Sequence, residues 1–402
     1  MKEVLLLVTL LMVQSIVRSQ YKVSGTVVNS ANGLPLAGAS VFINNASKGT
    51  SSDKDGSFIL ENITIPNFEL VISFVSFQTI VTNITPENIH KLFRIEMAAK
   101  QELMQEVILS PVDKNGWQNW GKLFTEHFIG KSKNATQCRI ENPGVLRFRY
   151  NRSTQVLRVS SVDKLIIRNK ALGLTVDYQL EEFSYNGRQH MISYLGYSSF
   201  EKMKSNSRRI QQRWIDKRQE AYNGSMMHFM RSFNADNLDG EGFQLRQLIR
   251  LYKQDTVTRF VYDRILQGDV SVYDTSLFVS QVMSGDGARS RNPIVYIYGR
   301  RPLSIDSVRL KDSRGTKTYL SFRNDLDVVY KNEPEKMEYV LQQNVQRKQR
   351  NFQESILFLT SERPILVEAN GLFFNPLDMF AEGYWASEKI AEMLPSDYEP
   401  GE

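Results

Sequence analysis

Cysteine and histidine, the residues from which many metal and redox centres are built, are scarce in this chain. Its 402 residues include one cysteine, Cys138, and four histidines. A single cysteine excludes an intramolecular disulfide and a metal site built on several cysteines. We interpret Cys138 as a small, buried apolar residue, with a free reactive thiol as the alternative.

The histidines do not occur in the patterns that bind metals. His90, His127, His190 and His228 are far apart in the sequence. None of them stands in a His-Glu-x-x-His, His-x-x-Glu or His-x-His context. Local spacing therefore predicts no metal site.

The motifs of nucleophilic and nucleotide-dependent enzymes are also missing. There is no Gly-x-Ser-x-Gly elbow, P-loop or dinucleotide fingerprint, and the glycine-containing segment 283–290 reads as a surface loop. His228, with Ser225 and Arg231 nearby, is the strongest catalytic candidate, but a packed or helix-surface histidine is the favoured interpretation. Glu181 and Glu182 are adjacent carboxylates. Glycosidase chemistry needs two carboxylates at a set distance, and the sequence does not define that distance. We predict no catalytic, cofactor-binding or metal-binding residues, and hence no enzyme.

The charge balance gives no sign of a nucleic-acid partner. The chain has 50 basic and 44 acidic residues, a net charge of +6. The densest basic stretches, Lys202–Arg218 and Arg347–Arg350, lie among acidic and helix-forming residues, and we interpret them as solvated helix faces.

Long apolar runs are absent apart from one at the start of the chain. Lys2 and the run Val4–Val13 predict a secretory signal peptide over residues 1–19, with cleavage after Ser19. A buried N-terminal helix or strand is the alternative. No later stretch reaches the length of a membrane span, so we expect a soluble or peripherally attached mature protein.

Residues 20–97 show the pattern of an antiparallel β-sandwich. Val23, Gly25 and Val27 share one parity, and turn signals such as Asp55-Gly56 separate short apolar runs. The segment Phe93–Met97 alternates apolar and charged residues, which predicts a closing strand with one solvated face.

Three stretches in this region carry a family resemblance: Gly33–Val41, Gly49–Phe58 and Ser73–Phe77. They resemble the carboxypeptidase-regulatory-like domain, a transthyretin-like sandwich that precedes many outer-membrane nutrient receptors of Bacteroidota. The turn Asp53–Gly56 could in principle supply calcium ligands, but a calcium site needs more oxygen donors than it offers. We interpret it as a turn whose aspartates accept hydrogen bonds from nearby amides.

Residues 98–112 read as a linker and residues 113–402 as a larger β-rich domain with a few helices. Helices are predicted around Gln118–Phe128, between Phe200 and Ala221, over Met226–Phe233 with Ser225 as its cap, and over Ala386–Leu394. Residues 145–198 are predicted to be mainly strands. Further predicted strands are Phe260–Tyr262, Val270–Tyr273, Ile294–Tyr298, Val328–Tyr330, Ile356–Leu359 and Ile365–Glu368.

Several short segments of the larger domain also resemble Bacteroidota proteins named for a carboxypeptidase-like regulatory domain. They are Phe128–Gly130, Cys138–Asn142, Asn169–Gly173, Tyr222–Phe229 and Gly383–Trp385. The resemblance implies export and association with the cell envelope. It implies no peptidase activity, because a zinc carboxypeptidase needs two histidines and a glutamate around the metal and a further catalytic glutamate.

The predicted fold is therefore mainly β: a transthyretin-like sandwich followed by a larger β-rich α+β domain. The predicted function is that of an exported, non-enzymatic envelope protein, periplasmic or associated with the outer membrane. Its expected partner is an envelope protein or polysaccharide. The alternatives are an envelope hydrolase acting on peptide or glycan, and an accessory subunit of a TonB-dependent nutrient-uptake system.

Overall fold

The structure is a computed structural model. It describes residues 20–65, 67–100, 111–189, 191–252, 277–280, 294–299, 301–343, 349–361, 363–373 and 378–402. The predicted signal peptide, the strands predicted at 260–262 and 270–273, the loop 283–290 and most of the predicted linker lie outside these residues. The chain divides into two compact units, residues 1–104 and 105–402.

The first unit is a two-sheet sandwich. Its strands are β1 (Tyr21–Asn29), β2 (Ser40–Ile43), β3 (Gly49–Ser51), β4 (Ser57–Ile63), β5 (Phe68–Ser73), β6 (Ile80–Ile84) and β7 (Leu92–Met97). One sheet has the order β4-β1-β7 and the other β3-β2-β5-β6. The predicted sandwich is confirmed, and Val23, Val27, Phe58 and Ile95 face its core.

One detail of the sandwich differs from the antiparallel pattern expected. β7 pairs with β1 in parallel, from Ser24 beside Leu92 to Asn29 beside Met97. The preceding strand, β6, lies in the other sheet. The chain therefore crosses between the sheets before β7, and no hairpin forces an antiparallel pairing.

The second unit begins with a helix and a six-stranded sheet. The elements are α1 (Gly116–Phe128), β8 (Cys138–Ile140), β9 (Leu146–Asn151), β10 (Val156–Ser161), β11 (Leu165–Asn169), β12 (Leu174–Asn186) and β13 (Met191–Lys202), with 3-10 turns at Ala135–Gln137 and Pro143–Val145. The strand order is β8-β11-β12-β10-β9, and β13 pairs with β12. Phe124 and Phe128 of α1 are fully buried against this sheet, so the aromatic stripe belongs to the core.

Two helices follow the sheet: α2 (Arg208–Tyr222) and α3 (Met226–Asn234). The helix predicted between Phe200 and Ala221 is found, but it begins only at Arg208, because Phe200 itself lies in β13 opposite Val176. The predicted cap is confirmed: the Ser225 hydroxyl accepts a hydrogen bond from the His228 amide at 3.1 Å.

The last part of the unit is built on a second six-stranded sheet and a small three-stranded one. The elements are β14 (Phe243–Tyr252), β15 (Leu277–Ser280), β16 (Ile294–Gly299), β17 (Arg309–Lys311), β18 (Thr318–Leu320), β19 (Asp325–Pro334), α4 (Met337–Gln342), β20 (Phe352–Leu359), β21 (Ile365–Val367), β22 (Met379–Gly383) and α5 (Tyr384–Ser387), with 3-10 turns at Ile305–Ser307 and Ile390–Glu392. The strand orders are β15-β16-β14-β19-β20-β22 and β17-β18-β21.

The single terminal helix predicted over Ala386–Leu394 is wrong. The segment contains only the short α5 and a 3-10 turn, separated by extended backbone at Glu388 and Lys389. Tertiary contacts replace the helical hydrogen bonds: the Ala391 amide donates to the Ile129 carbonyl at 3.1 Å. Amphipathic spacing favoured a helix, but these contacts with distant residues override it.

This C-terminal segment contributes to both cores of the second unit. Ile390, Leu394 and Tyr398 belong to the core between α1 and the first sheet. Tyr384 and Trp385 belong to the core that packs on the second sheet. Residues 384–398 therefore tie the two halves of the unit together.

Gly173 lies in close contact with Trp214 of α2, so a substitution there tests how α2 packs. Its φ is +67°, and a Cβ at this position would lie 2.3 Å from Cδ2 of Trp214. We expect Gly173→Ala to lower the free energy of unfolding by about 2–4 kcal/mol, because backbone strain adds to overpacking. Urea denaturation measures the effect. Gly144→Ala, where a Cβ meets nothing within 4 Å, is the control, and equal losses in the two variants would contradict the packing.

Candidate functional site

His228, the strongest catalytic candidate of the sequence, is held on both ring nitrogens by its own chain. Its Nδ1 accepts a hydrogen bond from the Gly224 amide at 3.1 Å. Its Nε2 lies 3.2 Å from Oε2 of Glu241. Because Nδ1 is an acceptor, the proton of the neutral ring is on Nε2 and is donated to Glu241.

The surroundings of this ring are aromatic. The rings of Tyr222, Phe243 and Tyr330 lie 4.7, 4.9 and 5.7 Å from the His228 ring centre, and His228 is buried. Burial lowers its pKa below the ordinary value of 6.5, and the hydrogen bond to Glu241 opposes this shift only in part. His228 is therefore a packed histidine, as the favoured interpretation stated.

The lowered pKa of His228 predicts a loss of stability in acid. Between its folded and unfolded pKa values the unfolded chain binds more protons, so the free energy of unfolding falls as the pH decreases below about 6.5. In urea denaturation, wild type should lose more stability between pH 7.5 and pH 5 than His228→Asn, whose amide oxygen can still accept from Gly224. Replacing the exposed His90 by asparagine is the control. Equal acid losses in wild type and His228→Asn would contradict the shift.

A second concentration of charge lies on one face of the second six-stranded sheet. Arg246 of β14 contacts Asp327 of β19 at 2.6 Å and Glu354 of β20 at 3.3 Å. Four residues further along β14, Arg250 repeats the arrangement. It contacts Asp325 of β19 at 2.5 Å and Glu382 of β22 at 2.9 Å. We call these six residues the ionic ladder.

Aromatic rings complete the ladder. The guanidinium carbon of Arg246 lies 5.1 Å from the centre of the Tyr298 ring, and that of Arg250 lies 5.0 Å from the centre of the Phe358 ring. Such stacking orients a guanidinium and adds an attraction to the ring face. Phe358 in turn stacks on Phe380, with centroids 5.7 Å apart.

Asp327 is the most perturbed carboxyl of the ladder. It is fully buried, and burial raises its pKa from 3.8 to about 8, with the neighbouring Glu354 adding to the shift and Arg246 opposing it. The protonated form of Asp327, beside the acidic Glu354, therefore persists to a higher pH than that of an ordinary aspartate. Such a pair can hold and transfer a proton, although Asp327 itself is closed off from solvent.

A third polar cluster surrounds Glu392 in the C-terminal segment. Its carboxylate accepts hydrogen bonds from Ser132 at 2.5 Å and from Asn134 at 2.9 Å. The Lys336 ammonium lies 3.4 Å away. Burial and the nearby Glu392 raise the pKa of Glu388 to about 8, against the attraction of Lys336. These groups connect α4 and the loop after α1 to the C-terminal segment.

Among the remaining candidates of the sequence, Cys138 borders the Glu392 cluster, where its thiol lies 3.4 Å from the Asn134 carbonyl. Cys138 is half-buried, and burial together with Glu392 raises the pKa of its thiol to about 12, so it is not a thiolate at neutral pH. Glu181 occupies a bulge of β12, while Glu182 pairs with Arg158 on the surface at 3.7 Å. The Asp53 carboxylate accepts hydrogen bonds from the Ser57 hydroxyl and amide and from the Asp55 amide, as expected for a turn.

The described part of the chain contains neither a cluster of metal ligands nor a membrane-spanning helix. No three or more His, Cys, Asp or Glu side chains there converge as metal ligands would. Within the same residues, no helix has the length and apolar character to cross a bilayer.

The sandwich of the first unit has a known counterpart. Residues 23–109 match the CarboxypepD_reg-like domain family. The first unit carries a CarboxypepD_reg-like domain. The match continues beyond β7, twelve residues past the boundary of 97 expected from the strand pattern. The CarboxypepD_reg-like domain covers less than a quarter of the chain.

The other comparisons add little to this finding. No curated protein matches the chain. Among solved structures, a 9R-lipoxygenase from Cyanothece PCC8801 is 10% identical with a TM-score of 0.15, over 56% of this chain and 49% of that one. This chain thus covers about half the length of that lipoxygenase. A likeness of this size indicates neither a shared fold nor a shared activity.

Proposed function

We propose that the chain is an exported, non-enzymatic protein of the cell envelope, periplasmic or associated with the outer membrane. The CarboxypepD_reg-like domain serves as an interaction or positioning module. The second unit binds an envelope protein or polysaccharide. Two independent features support the proposal: the apolar run Val4–Val13 at the N-terminus and the accessory character implied by the module.

The observation that carries the non-enzymatic part is the engagement of His228. Both of its nitrogens are hydrogen-bonded within the chain, and aromatic rings surround it. A general base needs a nitrogen that can reach a substrate proton. Here that nitrogen is already used by Glu241, and the side chain is buried.

One observation favours the alternative of a hydrolase acting on peptide or glycan. The raised pKa of Asp327 beside Glu354 resembles the division between an acid and a carboxylate that many hydrolases use. The mature protein should be incubated with peptidoglycan and with fluorescent casein, alongside Asp327→Asn. We expect no turnover by either protein. Turnover that the substitution abolishes would establish the hydrolase instead.

Export is tested by fractionating cells that produce the full chain. We expect the protein in the periplasm or the outer-membrane fraction, with Gln20 as its first residue by N-terminal sequencing. Leu6→Arg breaks the apolar run and should retain the protein in the cytosol. Wild type in the cytosol with residues 1–19 still attached would contradict the proposal.

Binding is tested by sedimentation of the purified mature protein with peptidoglycan sacculi and, separately, with outer-membrane vesicles from the producing cells. Pelleting with sacculi favours a polymer ligand. Pelleting with vesicles that protease treatment abolishes favours a protein partner, including a subunit of a TonB-dependent uptake system. Protein that stays in the supernatant in both arms would contradict the binding role.

A further inference from the structure

A cleft of about 100 Å³ lies between the loop that joins α3 to β14 and the segment 303–305 that follows β16. Its apolar lining comes from Phe243, Leu245, Leu303 and Ile305, and its polar lining includes Asp236 and Asp239. Phe243 and Leu245 are buried, whereas both aspartates are exposed. The cleft is therefore apolar inside and acidic at its mouth.

Backbone hydrogen bonds fix both sides of the cleft. The Leu303 amide donates to the Leu245 carbonyl at 2.8 Å, which anchors the segment 303–305 to β14. The Phe243 amide donates to the Leu238 carbonyl at 2.9 Å, which holds the loop against the start of the same strand. Both walls are thus attached to β14, and the cleft is a built part of the folded unit.

The negative charge at the mouth is only partly balanced. Asp236 is paired with Arg309, whose guanidinium donates to its carboxylate at 2.8 Å. Arg309 also contacts Asp306 at 3.3 Å. Within the described residues, the Asp239 carboxylate has no hydrogen-bond or ion-pair partner. One negative charge beside the apolar lining is therefore available to a cationic ligand.

We propose that this cleft binds an alkylammonium group of the size of a lysine side chain, with its methylenes on the apolar lining and its ammonium at Asp239. The inference rests on the binding role proposed for the second unit and names the chemistry of the group that is bound. A lysine side chain joins a compact charge to a flexible four-carbon stem. It can bury the stem while the charge stays at the surface, which matches the apolar interior and acidic mouth of the cleft.

The size and charge of the cleft disfavour other ligands. An engineered cavity of about 150 Å³ holds benzene, so the smaller cleft suits a short aliphatic chain better than a ring. An anion would be repelled by Asp239, and a neutral chain would leave its carboxylate without a counter-charge. A metal ion needs several converging oxygen ligands, and the residues that the structure describes contain no such group of acidic and histidine side chains.

Saturation-transfer-difference NMR of the mature protein with Nα-acetyl-lysine methylamide tests the inference. We expect a dissociation constant on the order of 1 mM, with the strongest saturation on the side-chain methylenes. Nα-acetyl-norleucine methylamide, which lacks the ammonium, should bind about tenfold more weakly, the loss expected for one charge-assisted hydrogen bond. A parallel titration with 1,5-diaminopentane distinguishes the sources: tighter binding of the lysine derivative assigns the cleft to a peptide chain, and tighter binding of the diamine to a free amine.

Two variants locate the binding. Asp239→Asn keeps the shape of the side chain and should weaken binding of the lysine derivative about tenfold, without changing that of the norleucine derivative. Asp55→Asn is the matched control, because Asp55 is also exposed and also precedes a glycine, but lies in the first unit. Ile305→Trp should fill the cleft and prevent binding of both derivatives, and circular dichroism verifies that each variant is folded.

Three results would overturn the inference: no saturable binding of either amine, equal affinity for the lysine and norleucine derivatives, or unchanged affinity in Asp239→Asn. The probes are small molecules and are measured without sacculi or vesicles. Their failure would therefore leave the sedimentation results, and with them the binding role of the second unit, intact.

Discussion

Replacing Tyr398 by alanine is expected to destabilise the second unit by about 3–5 kcal/mol, the cost of removing a large buried aromatic side chain. Tyr398 is 1% exposed and is among the largest fully buried side chains of the described residues. Its ring lies 5.7 Å from that of Tyr222 in α2. Urea denaturation followed by circular dichroism measures the loss. Tyr398→Phe is the matched control, because it keeps the ring and its packing.

The size of this effect follows from the contacts around Tyr398. The Arg231 guanidinium donates to the Ser396 carbonyl at 2.9 Å, and that of Arg218 donates to the Glu402 carbonyl at 2.9 Å. The Asn169 side chain donates to the Ala391 carbonyl at 2.9 Å. Removing the aromatic anchor weakens several contacts together. Unfolding midpoints that coincide for alanine, phenylalanine and wild type would show that the segment contributes little.

The second large effect concerns pH and Asp327. Because its folded pKa is about 8 and its ordinary value is 3.8, the folded state binds more protons than the unfolded state between these values. The free energy of unfolding therefore falls as the pH rises through this window, with a slope of up to about 1.4 kcal/mol per pH unit. Asp327→Asn imitates the protonated carboxyl and cannot ionise. We expect the variant to gain stability relative to wild type as the pH rises from 5 to 8.

Chemical denaturation at pH 5, 6, 7 and 8 measures the difference between the two proteins. Glu382→Gln, in the half-exposed outer carboxylate of the same ladder, is the matched control and should show a nearly constant difference from wild type. If the difference between Asp327→Asn and wild type did not change with pH, Asp327 would have to be ionised throughout, and Arg246 would dominate over burial.

Local patterns predicted the elements that short-range chemistry decides. The strand parity around Val23, the aromatic spacing of α1 and the Ser225 cap are all found in the structure. The β-rich composition of the second unit is found as well. In each case the residues that fix the conformation lie within a few positions of each other.

The predictions failed where distant residues decide the outcome. The segment Ala386–Leu394 has amphipathic spacing, but its contacts with Ile129 and Ser132 take the place of a continuous helix. β14 was not predicted, because its alternation is imperfect: Leu248 shares the parity of Arg246 and Arg250, and Gln247 shares that of the core residues Phe243 and Leu245. A signal that could have indicated it is the pair of acids Asp325 and Asp327, which share one parity immediately before the predicted strand Val328–Tyr330.

The sequence predicted what the candidate site lacks, but not which polar side chains contact each other in it. The sequence supported a packed role for His228, yet its hydrogen bond to Glu241 depends on the loop between α3 and β14. The ionic ladder joins residues up to 136 positions apart in the chain, from Arg246 to Glu382. Its members become neighbours only when four strands are assembled.

The ladder also limits how the strands can be aligned. In the observed alignment Arg246 lies beside Asp327, and Leu248 beside Asp325. A slip of β19 by one residue would turn both aspartates into the apolar core and expose Leu326 in their place, because successive side chains point to opposite faces. Two buried carboxylates would then lose their guanidinium partners, at a cost far above that of a lost surface ion pair. The ion pairs thus favour the observed register of β14 and β19 over the registers shifted by one residue.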